Sequence, residues 1–145
     1  MREQNTACLP IIFSKVKKAV QKRQTELLKP YGLGSIHAMY LIILLHNPSG
    51  LTMRELCVTL YVDKANTSRA ISTLEEKDYV FRDSSGTGVL KYKIMLSKKG
   101  KELAYLITEK MKRFHEEMFR DLTSDEINTM RRVLQKIELT VDEME

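Results

Sequence analysis

Residues 63–69 read Asp63-Lys64-Ala65-Asn66-Thr67-Ser68-Arg69. Lys64, Asn66, Thr67, Ser68 and Arg69 carry donors and acceptors that suit phosphate oxygens and the edges of base pairs. Arg69 also has the planar fork that can bond guanine O6 and N7 together. Asp63 is placed to cap a helix starting at Lys64. The first amides of that helix lack internal partners, so they can hold a backbone phosphate without reading sequence. Further along, Lys91 and Lys93 alternate with Tyr92, Ile94 and Leu96, the period of a strand with one charged face that can lie along the backbone or in the minor groove. Both groups also have plainer readings: a polar helix face is often solvated surface, and lysines on an exposed strand discourage edge-to-edge aggregation.

Other chemistries find little support. His37, His46 and His115 are scattered, and no H-E-x-x-H pattern or Gly-rich phosphate loop occurs, so the chain is not expected to be an enzyme or to hold a cofactor. Cys8 and Cys57 are the only cysteines, too few for a disulfide framework or a structural zinc site, and no metal is expected. The net charge of +5 favours an anionic partner such as double-stranded DNA. The longest apolar run, residues 38–45, falls far short of the roughly 20 needed to cross a bilayer, and Arg2 and Glu3 do not open a signal peptide. No membrane association and a cytoplasmic location are expected.

The elements that must position these residues follow from periodicity and caps. Ile12, Val16, Ala19, Val20, Leu27 and Leu28 predict an amphipathic first helix from Pro10, closed by Pro30, Gly32 and Gly34. Residues 37–46 are apolar almost all round and predict a buried second helix, ended by Asn47-Pro48-Ser49-Gly50. Thr52-Met53-Arg54-Glu55 is a capping box that starts a third helix with Met53, Leu56 and Leu60 on one face. In the fourth helix Thr67, Ala70, Ile71 and Leu74 share a face, and Ala65, Arg69, Ser72, Thr73 and Glu76 point away from it. Residues 79–82 and 89–96 predict a hairpin around Ser84-Ser85-Gly86-Thr87-Gly88. Ser97 can cap a long fifth helix, in whose first turn Gly100 is a modest cost. Thr123-Ser124-Asp125-Glu126 opens a sixth helix with Ile127, Met130, Val133, Leu134, Ile137 and Val141 in step. The order is mainly α with a small β-hairpin wing: a winged helix-turn-helix lobe, residues 34–100, flanked by long helices at 8–30 and 101–145, in one domain spanning 1–145. A capped helix, a short turn and a second helix with a small polar start are the layout that enters a major groove.

Four stretches in order resemble the MarR (multiple antibiotic resistance regulator) family of winged-helix transcriptional regulators. They are Leu51-Thr52-Met53-Arg54-Glu55-Leu56, Val62-Asp63-Lys64-Ala65-Asn66-Thr67-Ser68-Arg69, Leu74-Glu75-Glu76-Lys77-Asp78-Tyr79-Val80 and Leu96-Ser97-Lys98-Lys99-Gly100. The resemblance runs over residues 33–103. It implies a homodimer interlocked through its first, fifth and sixth helices, a repressor or other regulator that presents one lobe per chain to a pseudo-palindromic operator. It gives Lys64, Asn66, Ser68 and Arg69 the recognition role by position. It also implies a small aromatic or phenolic effector in a crevice between the dimer helices and the lobe, where His37, Tyr40 and Arg54 can line the wall. One branch of the family senses organic peroxides through a cysteine near the start of the first helix, the place of Cys8 here. The family's wing carries an Asp followed closely by an Arg, whereas this chain has Gly86-Thr87-Gly88-Val89-Leu90, leaving Lys91 or Lys93 to supply the charge. Two alternatives stay open at this level: a winged-helix module that docks protein through the same face, and a redox-sensing regulator acting through Cys8.

Overall fold

The structure, a computed structural model, describes residues 2–85 and 92–145. Its elements are α1 (Arg2–Leu28), a single 3-10 turn (Lys29–Tyr31), α2 (Ser35–Leu45), α3 (Met53–Leu60), α4 (Lys64–Glu76), β1 (Val80–Asp83), β2 (Lys93–Leu96), α5 (Lys98–Met118) and α6 (Ser124–Met144). They form the expected winged helix-turn-helix order, in two compact units, Met1–Met111 and Lys112–Glu145. Among the described residues no single helix is long and apolar enough to cross a membrane.

The helix starts rest on local chemistry. Thr52 Oγ1 accepts from the Glu55 amide at 3.2 Å while the Glu55 carboxylate accepts from the Thr52 amide at 2.7 Å. Thr123 and Glu126 repeat the exchange at 3.2 and 2.8 Å. Each cap satisfies amides that would otherwise lack a partner, worth about 1 kcal/mol. Tyr61 ends α3 with φ 52°, in the left-handed region. A side chain with a Cβ occupies that region at a cost on the order of 1 kcal/mol, and here it turns the chain tightly from α3 into α4.

α1 departs from expectation by starting at Arg2, with Pro10 inside it. An interior proline withholds one N–H from the helical ladder and crowds the carbonyl four residues before it, a cost of about 3 kcal/mol; Glu3, Gln4, Ala7 and Leu9 are residue types that accept helical backbone on its N-terminal side.

β1 and β2 are antiparallel, with Val80 opposite Leu96 and Asp83 opposite Lys93. The expected start of the second strand at Val89 lies outside the described residues, which omit residues 86–91 and so Lys91. Within β2, Ile94 and Leu96 are buried while Lys93 is exposed, the alternation that the sequence predicts. Leu51 adds an unforeseen bridge to the sheet. Its amide donates to Ile94 O at 3.1 Å, and the Ile94 amide donates to Leu51 O at 2.7 Å. The segment leading into α3 is thereby stitched to the wing.

The core of the first unit is built from Leu28, Tyr40, Leu41, Leu44, Leu56, Ile71, Leu74, Ile94 and Ile107, none more than 2% exposed. Burying each such aliphatic side chain contributes about 1.5–3 kcal/mol. α5 meets this core through its first turn: Ser97 Oγ accepts from the Gly100 amide at 3.0 Å and donates to Asp78 O at 2.6 Å. Gly100 is buried, and a Cβ added there would lie 1.9 Å from Tyr79 O. The glycine is therefore what lets α5 approach the backbone before β1. α1 exposes Leu9, Ile12, Phe13 and Val16, and α6, which buries none of its residues, exposes Val133, Leu134, Ile137 and Val141.

Candidate nucleic-acid interface

α4 presents Lys64, Asn66, Ser68 and Arg69 to solvent at its first two turns. Thr67, also expected to contact DNA, is fully buried: it lies on the inner face with Ala70, Ile71 and Leu74, and its hydroxyl is not available to a groove. The helical spacing indicates that inner face, and the hydroxyl's chemistry does not override it.

The exposed residues are not independent. Asp63 Oδ1 accepts from the Asn66 amide at 2.7 Å, and Asp63 Oδ2 accepts from Asn66 Nδ2 at 2.7 Å. Asn66 Oδ1 in turn accepts from Arg69 Nη2 at 2.6 Å. The backbone amide of Asn66, then its side-chain amide, hold the Asp63 carboxyl below the usual carboxylate range, with the Arg69 charge adding to the effect. The cap of α4 is thus the first link of a chain that aims the Arg69 guanidinium, leaving its other N–H donors for a ligand. Sequence reasoning identified the cap and the arginine separately. The signal for their connection is the three-residue spacing of Asp63, Asn66 and Arg69, which places all three on one strip of helix surface.

The wing's base is tied to the same helix. Arg82 Nε on β1 donates to both carboxylate oxygens of Glu75 on α4, at 3.0 and 3.2 Å, and its guanidinium lies 4.5 Å from the centre of the Tyr92 ring. Lys93 faces Asp83 across the pair of strands. Two hydrogen bonds from Ser85 chiefly hold the Asp83 carboxyl low, and Lys93 contributes through its charge. Part of the Lys93 field is therefore spent within the wing.

His37, Tyr40 and Arg54 are not gathered into one pocket. His37 is half-buried and its Nδ1 accepts from the Gly34 amide at 3.0 Å, capping α2. Tyr40 is fully buried and its hydroxyl meets Thr67 Oγ1 at 2.9 Å. Arg54 lines a cavity of about 680 Å³ between α3, α4 and the wing, together with Met53, Cys57, Val62, Lys64 and Tyr92. Cys8 is exposed. Because α1 starts at Arg2, Cys8 lies beyond the first helical turn, where amides no longer lack partners.

The His37 cap makes a pH prediction. Accepting at Nδ1 requires a ring that is neutral with its proton on Nε2, and burial chiefly, helped by the Lys77 charge, lowers its pKa below 6.5. The unfolded chain then binds the proton more readily, so the contribution is complete above pH 6.5 and is lost as pH falls through the folded-state value. Melting temperatures measured from pH 7.5 to 5.5 are expected to drop more for the wild type than for His37→Gln, whose amide oxygen can accept without titrating; parallel curves would remove the role.

Residues 31–88, which hold α2, α3, α4 and β1, match a family model described as the MarR family. Over that stretch the chain is similar to the MarR family. Solved structures extend the likeness to most of the chain. A MarR protein from Peptoclostridium difficile is 26% identical with a TM-score of 0.85, over 94% of this chain and 89% of that one. A putative MarR family transcriptional regulator from Listeria monocytogenes, complexed with a 26mer DNA, is 20% identical with a TM-score of 0.87, over 93% and 89%. CouR from Rhodococcus jostii, bound to p-coumaroyl-CoA, is 22% identical with a TM-score of 0.75, over 89% and 90%. No match is found among curated proteins. In the fold, α3 and α4 are the two helices of the helix-turn-helix, and β1–β2 form the hairpin that follows them.

Proposed function

We propose that this protein is a sequence-specific transcriptional regulator that binds a pseudo-palindromic operator as a homodimer and represses by occupying it. The observation that carries the reading is the Asp63-Asn66-Arg69 chain, which holds a guanidinium at the exposed start of a helix otherwise lined by Lys64 and Ser68. A pre-aimed arginine suits guanine recognition, because little rotational freedom remains to be lost on binding. Lys64 and the amides at the helix start take backbone phosphates, and Lys93, with Lys91 of the wing, adds a weaker contact. The DNA complex of the Listeria regulator supports the same use of this fold. The apolar residues exposed on α1 and α6 supply surface for self-association about a two-fold axis, the commonest way to bury such stripes.

A small aromatic acid acts on this protein from the cavity beside α3 and α4. Met53, Val62 and Tyr92 offer apolar walls, Arg54 and Lys64 supply cations for a carboxylate, and Lys64 belongs to the DNA-facing set as well. The ligand-bound structure of CouR supports an aromatic effector class.

The test is selection of bound duplexes from a random library at near-physiological salt. Enrichment of an inverted repeat with half-site centres about one helical turn apart is expected. Recovery of no repeat, together with binding that is insensitive to salt, would point to protein docking through the same face and overturn the proposal. Adding an aromatic carboxylate to the selected complex is expected to release the DNA.

A further inference from the structure

We infer that the buried hydrogen bond between Tyr40 and Thr67 sets the position of the recognition helix, making these two core residues determinants of sequence preference although neither can touch DNA. The inference rests on the DNA-reading function proposed above.

Three observations lead to it. Thr67 sits between Asn66 and Ser68, among the exposed residues of α4, and it is the only buried residue near the start of that helix; Ala70, Ile71 and Leu74, the other buried positions, all lie further along. The start of α4 is thus held on its inner side by a hydroxyl, not by a bulky apolar side chain. That hydroxyl is bonded at 2.9 Å to Tyr40 of α2, and both residues are 0% exposed. Finally, among the described residues no buried side-chain nitrogen or oxygen lacks a hydrogen-bond partner, so the two hydroxyls satisfy each other in an otherwise apolar layer.

Apolar contacts are non-directional and allow a helix to rotate or slide by small amounts, whereas a hydrogen bond fixes distance and direction. Side chains that read bases must be held within about 0.5 Å of their working geometry. Replacing both partners of a buried hydrogen bond by apolar groups of similar shape is often nearly neutral for stability. What the pair provides is therefore a single register of α4 on α2, and with it the reach of Arg69.

The test compares the wild type with the double variant Tyr40→Phe/Thr67→Val, which keeps the shape and removes both hydroxyls, and with Thr67→Ser, which keeps the bond. Affinity is measured for the selected repeat and for random duplex, alongside melting temperature. The double variant is expected to melt near the wild type, to bind random duplex as the wild type does, and to lose about five- to tenfold of its preference for the repeat, the scale of one poorly read base pair. Thr67→Ser is expected to retain that preference. An unchanged preference in a folded double variant would overturn the inference and leave the DNA-reading function standing. A loss of preference that merely follows a fall in melting temperature, shared by Thr67→Ser, would overturn it too by reducing the pair to a packing role. A wild type that prefers no sequence overturns the DNA-reading function and this inference together.

Discussion

Gly100→Ala is expected to destabilise the first unit by about 3 kcal/mol, at the upper end of the range for overpacking a close-packed site. The new methyl would lie 1.9 Å from Tyr79 O and 3.2 Å from Leu96 Cδ2. A leucine tip can rotate aside. The carbonyl cannot, because Tyr79 O also accepts from the Ser97 amide at 3.0 Å and from Ser97 Oγ at 3.1 Å. Relief requires α5 to move away from the start of β1, which opens the contact that its cap makes. Alanine is the better helix former by nearly 1 kcal/mol, so propensity alone predicts the opposite sign. Urea unfolding of the two proteins decides between them: a higher midpoint for Gly100→Ala would mean that the close approach contributes nothing.

Arg69→Ala is expected to cost about 1–3 kcal/mol in binding to the selected repeat, roughly five- to 150-fold in affinity. Binding to random duplex should change little if the guanidinium reads a base. Equal losses on both would make Arg69 a phosphate contact, and in that case the salt dependence should also fall by about one unit of slope. Asn66→Ala provides a graded comparison, since it leaves the arginine in place and removes the oxygen that aims it. Its loss on the repeat should be smaller than that of Arg69→Ala, with the same indifference on random duplex. Both residues are exposed, so neither change should alter the fold measurably.

How much of this was visible in the sequence depended on how far apart the interacting groups lie. The caps at Thr52, Asp63 and Thr123 were legible because a cap is a contact between residues three apart, written in their types and spacing. The alternation of Lys93 with Ile94 and Leu96 showed which face of the strand is buried for the same reason. Gly100 appeared only as a weak helix residue because its partner, Tyr79 O, belongs to another element. The Tyr40 hydroxyl looked like a crevice wall and the Thr67 hydroxyl like a DNA contact, since each was weighed without the other; they are 27 residues apart and find each other only in the folded core. The Glu75–Arg82 pair was missed in the same way, spanning the end of α4 and β1. At α1 a proline fits a helix start best, because its missing N–H would have no partner there anyway, yet the structure carries the helix through Pro10 back to Arg2.

The Glu75–Arg82–Tyr92 link has a consequence for the DNA. With the wing's base fastened to α4 by two hydrogen bonds from Arg82, whose guanidinium is itself held against Tyr92 within the wing, and Leu51 paired to β2 behind it, changing the angle between helix and wing would break several contacts at once. A lobe of that stiffness leaves the adjustment of groove width and curvature to the duplex. On the proposed DNA-reading function, operators should then be distinguished partly at base pairs the protein never contacts, by flexible steps such as TA or CA placed where the helix axis must bend, and by stiff A-tracts where it must not.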